Sequence, residues 1–223
     1  MQKLFNITNE TDHIVKIELV NGKKHNPLSL ELIKELTNSL IQISSQKKVK
    51  VLIISSEGPG FSAGHDLDEL RKNRNNKKFF NELFNECSNL MQTIMNLPQP
   101  VIAEVCGIAA AAGCQLVASC DLAVASEQAS FMTPGVNIGL FCSTPMVAVS
   151  RNLSRKKIME MLLTGEKLSA KDAVDYGLIN HCVPLDELHQ KTLSIANIIA
   201  SKPLSTVKIG KEAFYKQAEM PID

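Results

Sequence analysis

The sequence lacks any C-x-x-C pair, and its six cysteines (Cys87, Cys106, Cys114, Cys120, Cys142, Cys182) show no ligand spacing, so no metal centre is expected. Several of these thiols lie inside apolar segments, where a free cysteine packs as a small hydrophobe. In a chain of 223 residues they suggest a reducing compartment more than a disulfide framework. Excess charge is also missing. Against 23 acidic residues stand 24 Lys and Arg, a formal net charge of +1. That balance argues against nucleic acid or an anionic membrane as a partner selected by bulk electrostatics. The short lysine runs, such as Lys47-Lys48 and Lys77-Lys78, read as solvated surface. The N-terminal MQKLFNITNE carries neither a basic-plus-apolar signal nor an Arg-rich transit pattern. A cytoplasmic location is expected on that basis, although a mature organellar protein looks the same. Nor is there an uninterrupted apolar stretch that must span a membrane: Pro100, Gly107 and Gly113 divide residues 101–120 into a β-like run and an Ala-rich helix. Repeats, low-complexity tracts and a clear interdomain linker are missing as well.

What remains is ordinary globular composition, 44% hydrophobic and 21% charged, enough for a substantial core. Residues 14–19 alternate as a half-buried strand, and residues 49–55 form the nearly continuous apolar run of a buried one. Ser29 is placed to cap a helix whose stripe is Leu32, Ile33, Leu36, Leu40 and Ile43. His65 or Asp66 opens a short helix. A longer one carries Phe80, Leu83, Phe84, Cys87, Met91 and Ile94, and ends at Pro98 and Pro100. Strand from Pro100, helix over 109–119, strand over 121–126 and helix over 154–163 follow, with Gly165 as a stop. Ser169 to Asp172 has capping-box spacing, Gly177 closes that helix, 178–183 is a strand, and residues from 186 onward are helical. Strands alternating with helices make the class α/β.

The stretch GPGFSAGHD, residues 58–66, admits three readings. As a dinucleotide loop, Gly58, Gly60 and Gly64 need an acidic residue ending a strand about 20 residues on. That distance falls at Glu82 or Glu86, inside the amphipathic helix. As a serine-hydrolase elbow, Ser62 needs a tight turn directly off a strand, and Glu57-Gly58-Pro59 intervene; His181, His189, Asp172 and Asp175 are its imaginable partners. As an oxyanion loop, small residues let backbone N–H groups approach a ligand closely. A second loop of that kind is GIAAAAGCQLVASCD, where a helix start leaves free N–H groups and the positive end of its dipole.

Taken in order, KKHNPLS, FSAGHDLDEL, QPVIAEVCGIAAAAGCQLVASCDLAVAS, FMTPGVNIGL and LTGEKLSAKDAVDYGLINHCVP resemble the crotonase, or enoyl-CoA hydratase/isomerase, superfamily, from about residue 21 to 214. The stretches AAAAGCQLVASCD and TPGVNIGLFCSTP look most like one particular branch of it. The resemblance implies a spiral of ββα units over residues 1–185 and a helical C-terminal region, 186–223, shortened relative to the family. It also implies an acyl-CoA thioester as ligand, coenzyme A entering only as part of the substrate with no separate cofactor. A trimer or dimer of trimers and lyase or isomerase chemistry in fatty-acid metabolism are implied too. Carried over residue by residue, it makes the N–H groups of Ala63 and Ala112 an oxyanion hole. Lys24, His25, Pro27, Leu28, Gly64, His65, Asp66, Leu67, Ala111, Pro134, Gly135, Gly139 and Leu140 then line the path of CoA and the acyl group. Cys142 and Ser143, just after Gly139-Leu140-Phe141, are candidates to line the acyl pocket, with packing the favoured explanation.

The departures matter as much. Family hydratases use two carboxylates, and the matching positions hold Gln115 and Gly135. An amide cannot take up and return a proton near neutral pH, and glycine has no side chain. Ordinary hydration of 2-enoyl-CoA is therefore expected to be slow or absent. Two other outcomes stay open. One is decarboxylation of a malonyl-type thioester, with His65 in the pocket as in superfamily decarboxylases that share SAGHD. The other is non-catalytic acyl-CoA binding.

Overall fold

The apolar run near residue 50 is the strand β3 (Val51–Ser56), and its side chains alternate between two separate cores. Leu52 and Ile54 join one, Val51 and Ile53 the other, the period of two that a pleated strand imposes. Burial on both faces is what the unbroken run encodes, and each such side chain contributes roughly 2 kcal/mol. The computed structural model describes residues 3–218 and 220–221.

β3 lies in a six-stranded sheet ordered β1-β2-β3-β5-β7-β10. Here β2 is Ile14–Leu19, β5 Val101–Val105, β7 Leu122–Ser126 and β10 His181–Val183, all parallel, while β1 (Phe5–Thr11) pairs antiparallel at the edge. A smaller sheet has the order β4-β6-β8-β9. Its strands β4 (Gly60–Ser62), β6 (Ile108–Ala110) and β8 (Ser130–Met132) are parallel, and β9 (Leu168–Ser169) is antiparallel to β8. The chain visits the two sheets in alternation, β3 then β4, β5 then β6, β7 then β8, before returning through helical residues. This is the expected α/β spiral of ββα units.

Local signals set the helices. Ser29 accepts from the Leu32 N–H at 3.2 Å and starts α1 (Leu30–Ser44). Asp66 accepts from the N–H groups of Asp68 and Glu69 and starts α2 (Leu67–Lys72). After α3 (Lys77–Asn96) and α4 (Ala112–Ser119) come α5 (Pro145–Val149) and α6 (Arg155–Thr164). Ser154 caps α6, and Gly165 ends it with φ +67°. Ser169 caps α7 (Ala170–Asp175), and α8 (Leu188–Ala200) and α9 (Leu204–Ala218) complete the chain. Helices α1, α3 and α4 cover one face of the large sheet. The other face packs on Leu188, Ala196 and Ala200 of α8.

One expectation needs correction. Residues 109–119 are not one helix: residues 108–110 form β6, and α4 begins only at Ala112. Alanine is a good helix former, but the pairing of β6 with β4 on one side and β8 on the other overrides that preference. Among the described residues, no helix is long and apolar enough to cross a membrane.

Candidate active site

Because β4, β6 and β8 run parallel, they end at the same edge of the small sheet, and the residues that follow them meet there. After β4 the chain passes through Ala63 and Gly64 into the Asp66 cap. After β6 it turns at Ala111 into α4. After β8 it enters a short 3-10 turn, Pro134–Ile138, closed by Gly139 at φ +75°.

Asn26 holds the first of these loops in place. Its side chain is fully buried, accepts from the Asn21 N–H at 2.8 Å and donates to the carbonyls of Glu57 and Gly60 at 3.0 and 2.8 Å. The Ser62 hydroxyl donates to the Asn26 carbonyl at 2.8 Å and accepts from the Gly64 N–H at 3.2 Å. Ser62 is thus a sealed structural joint, wholly buried, and the elbow reading fails. Its imagined partners lie elsewhere: Asp172 accepts from Ser169, and His189 is 3.0 Å from Glu104.

Two peptide contacts lock residues 25–28 beside residues 63–66. Leu28 donates to the Gly64 carbonyl at 2.8 Å and accepts from the Asp66 N–H at 3.4 Å, making Leu28 and His65 a parallel bridge. In such a bridge the N–H of the middle residue, His65, points away from the partner strand. The Ala63 N–H instead donates to the His25 carbonyl at 2.8 Å. That amide is already engaged, which corrects its expected role as an oxyanion donor; the N–H on this loop without an acceptor among the described residues is that of His65.

Gly64, at φ +88°, brings the loop against the start of α4. A Cβ there would stand 2.9 Å from the Ala110 carbonyl oxygen and 3.2 Å from the Ala112 nitrogen. Gly113 allows an even closer approach, since its Cβ would meet the Ser62 carbonyl oxygen at 2.3 Å. Ala111 holds φ +48° and ψ −117°, a conformation that costs an alanine about 1–3 kcal/mol. The strain turns the chain from β6, where the Ala111 N–H still bonds the Met132 carbonyl at 2.9 Å, into α4. The Ala112 amide is the first of the helix and has no acceptor among the described residues.

Around these two amides the side chains are mainly uncharged. The His65 ring lies edge-on to Phe84 at 5.6 Å, with Nδ1 3.4 Å from the Leu28 carbonyl and Nε2 buried without a partner among the described residues. Burial lowers its pKa and favours the neutral imidazole. Gln115 is 5% exposed, and its Oε1 faces the Cys87 thiol at 4.0 Å. Burial pushes that thiol up to about 12. Gly135 is buried beneath Cys142, whose thiol burial also raises. Ser143 is exposed.

The remaining expected residues sit outward. Lys24 and His25 are exposed, and Lys24 lies 4.0 Å from Asp68 in an open ion pair worth little. Pro27 is half-buried and Leu28 fully buried; Leu67 and Leu140 are exposed, and Pro134 opens the 3-10 turn. Sequence reasoning missed Asn26 as the keystone, although the turn signal Asn26-Pro27 marked the place. Phe84 was read only as part of a helix stripe. No group of three or more His, Cys, Asp or Glu side chains suited to a metal occurs among the described residues.

The Enoyl-CoA hydratase/isomerase family model matches residues 9–222. The chain belongs to the enoyl-CoA hydratase/isomerase family. Among its relatives, the human enoyl-CoA hydratase domain-containing protein 3, mitochondrial, is 51% identical over 208 residues, 93% of this chain and 68% of that protein. The crystal structure of human enoyl-CoA hydratase domain-containing protein 3 superposes with a TM-score of 0.94 at 48% identity, covering 99% of this chain and 86% of that one. An enoyl-CoA hydratase structure from Mycobacterium smegmatis gives 0.96 at 41% identity with the same coverages, 99% and 86%. The fold is therefore that of the crotonase superfamily, and the branch resembled by AAAAGCQLVASCD and TPGVNIGLFCSTP is the domain-containing protein 3 branch.

Proposed function

We propose that the chain binds acyl-CoA thioesters and holds the thioester oxygen between the main-chain amides of His65 and Ala112. The observation that carries this reading is the convergence of Gly64 on Ala112, with an unengaged N–H on either side of the contact. As the carbonyl becomes an enolate its oxygen gains charge, so both donors strengthen, each contributing on the order of 3 kcal/mol. The positive end of α4 adds to the same effect. Lys24, His25, Pro27 and Leu28 border the path of the CoA moiety, with Lys24 and His25 as its exposed basic rim. Assembly as a trimer or dimer of trimers belongs to the same reading. The mitochondrial relatives favour an organellar location over the expected cytoplasmic one.

Hydration is the weak step of this site. The amide of Gln115 and the absent side chain at Gly135 supply neither base nor acid, a loss worth about a hundredfold to ten-thousandfold in rate. The purified chain is expected to bind crotonyl-CoA saturably yet hydrate it slower by that factor than a hydratase with both carboxylates. Hydration at the rate of such an enzyme contradicts the reading of positions 115 and 135. Failure to bind any acyl-CoA contradicts the thioester site itself.

A further inference from the structure

A buried carboxylate lies on the face of the large sheet that packs on α8. Ile102 of β5 belongs to that core, and Ala103 and Val105 belong to the opposite one. By the same period of two, Glu104 points toward α8, and it is only 8% exposed. Its ion-pair partner among the described residues is His189, the second residue of α8, whose Nδ1 stands 3.0 Å from Glu104 Oε2. The other ring nitrogen, Nε2, stands 3.4 Å from Glu10 Oε2 on the edge strand β1. Lys16 of β2 holds Glu10 in turn at 3.0 Å. One imidazole therefore joins the edge of the sheet to its middle, with a carboxylate at each nitrogen.

A neutral imidazole offers one N–H and one lone pair. Between two carboxylates, its bare nitrogen sets that lone pair against an oxygen that can only accept. The imidazolium alone makes both contacts attractive. Charge counting agrees, because Lys16 balances Glu10, and a neutral ring leaves Glu104 a buried charge without a cation. Burial pushes the Glu10 carboxyl up, but the bond and charge of Lys16, with those of His189, outweigh it and hold the carboxyl below its usual value. The other groups around α8 do not replace the ring. On β2, Glu18 accepts from Asn6 at 3.4 Å, and β3 and β7 carry no charged side chain. Beyond Glu104, burial chiefly keeps the Cys106 thiol protonated. Asp186 and Glu187, just before α8, are exposed, and Lys191 on α8 acts on His181 of β10.

We infer that His189 is a proton-operated clasp, fastening the leading turn of α8 to both β1 and β5 while protonated and releasing one of them when neutral. This device is independent of the thioester reading. Two facing carboxylates favour the charged ring in the folded chain alone, so its contribution is complete on the acid side and lost as pH rises. The His189 side chain is 44% exposed, so solvent screens the contacts and the effect is modest.

Urea unfolding of the full chain and of His189→Gln at about pH 5.5 and 8.5 tests the clasp. Glutamine keeps one N–H donor group and does not titrate. The unfolding constant of the variant relative to the parent is expected to be about fivefold larger at the lower pH than at the higher. A merely structural role of the side chain gives the same ratio at both. Hydrogen exchange of the amides at 189–192, corrected for the intrinsic rate and referred to α1, is expected to quicken in the parent as pH rises and to hold steady in His189→Gln. A ratio that is equal at both pH values or larger at the higher one overturns the inference, as does parent exchange that holds steady. Should His189→Gln fail to fold, the exchange of the parent decides.

Discussion

Gly135 and Cys142 compete for one space: a Cβ at position 135 would stand 2.9 Å from the Cys142 sulfur and 3.0 Å from the Leu140 carbonyl oxygen. The loop between them is closed on itself, because the Leu140 N–H donates to the Gly135 carbonyl at 2.9 Å. A carboxylate at 135 therefore cannot enter without displacing the loop. Gly135→Ala is expected to cost about 1–3 kcal/mol in denaturant unfolding. Gly135→Glu, even joined to Gln115→Glu, is expected to leave crotonyl-CoA hydration slow. Hydratase-level turnover from that pair, with Cys142 untouched, contradicts this steric reading.

Asn26 carries the loop that positions His65. Removing its side chain takes their shared donor from the carbonyls of Glu57 and Gly60, the second of these bonds buried. It also removes asparagine from a left-handed backbone position at φ +49°. Asn26→Ala is expected to lower stability by about 3 kcal/mol, measured by urea unfolding. Butyryl-CoA affinity should fall with it, since the Leu28–Gly64 pairing depends on the same loop. A variant within about 0.5 kcal/mol of the parent removes Asn26 from its keystone role.

Burial lowers the His65 pKa in the folded chain below the ordinary histidine value of 6.5. The unfolded chain then binds the proton more readily. Stability attributable to His65 is complete above about pH 6.5 and is lost as pH falls toward the lowered folded value. Comparing unfolding free energies of the parent and His65→Gln between about pH 7 and 5 isolates the effect. The parent is expected to lose more than the variant over that range. Parallel curves contradict a buried, neutral His65.

Much of the fold was legible because its signals are local. Ser29, Asp66, Ser154 and Ser169 each cap a helix within three residues of themselves, and the apolar run of β3 declares burial on both faces. The short strand β6 was not legible: Ile108-Ala109-Ala110 carries no strand signature, and only pairing with β4 and β8 makes it one. The edge strand β1 also escaped, for its residues are largely exposed and its apolar alternation stops after Phe5 and Ile7. In the site, Ala112 could be read from a glycine- and alanine-rich helix start. The choice between Ala63 and His65 could not, because it depends on which amide the distant loop 25–28 has taken. The same holds for Gly135, whose meaning lies in a sulfur seven residues away.

The amide resonances of His65 and Ala112 test the thioester grip most directly. Labelled chain titrated with butyryl-CoA, and separately with the thioether analogue that lacks the carbonyl oxygen, gives the comparison by nitrogen–proton NMR. Both amide protons are expected to move downfield with the thioester and to stay near their free positions with the thioether, while Ala63, bonded to His25, is unmoved by either. Equal responses to the two ligands, or a carbonyl-dependent shift at Ala63 in place of His65, contradict a thioester oxygen held between those two main-chain donors.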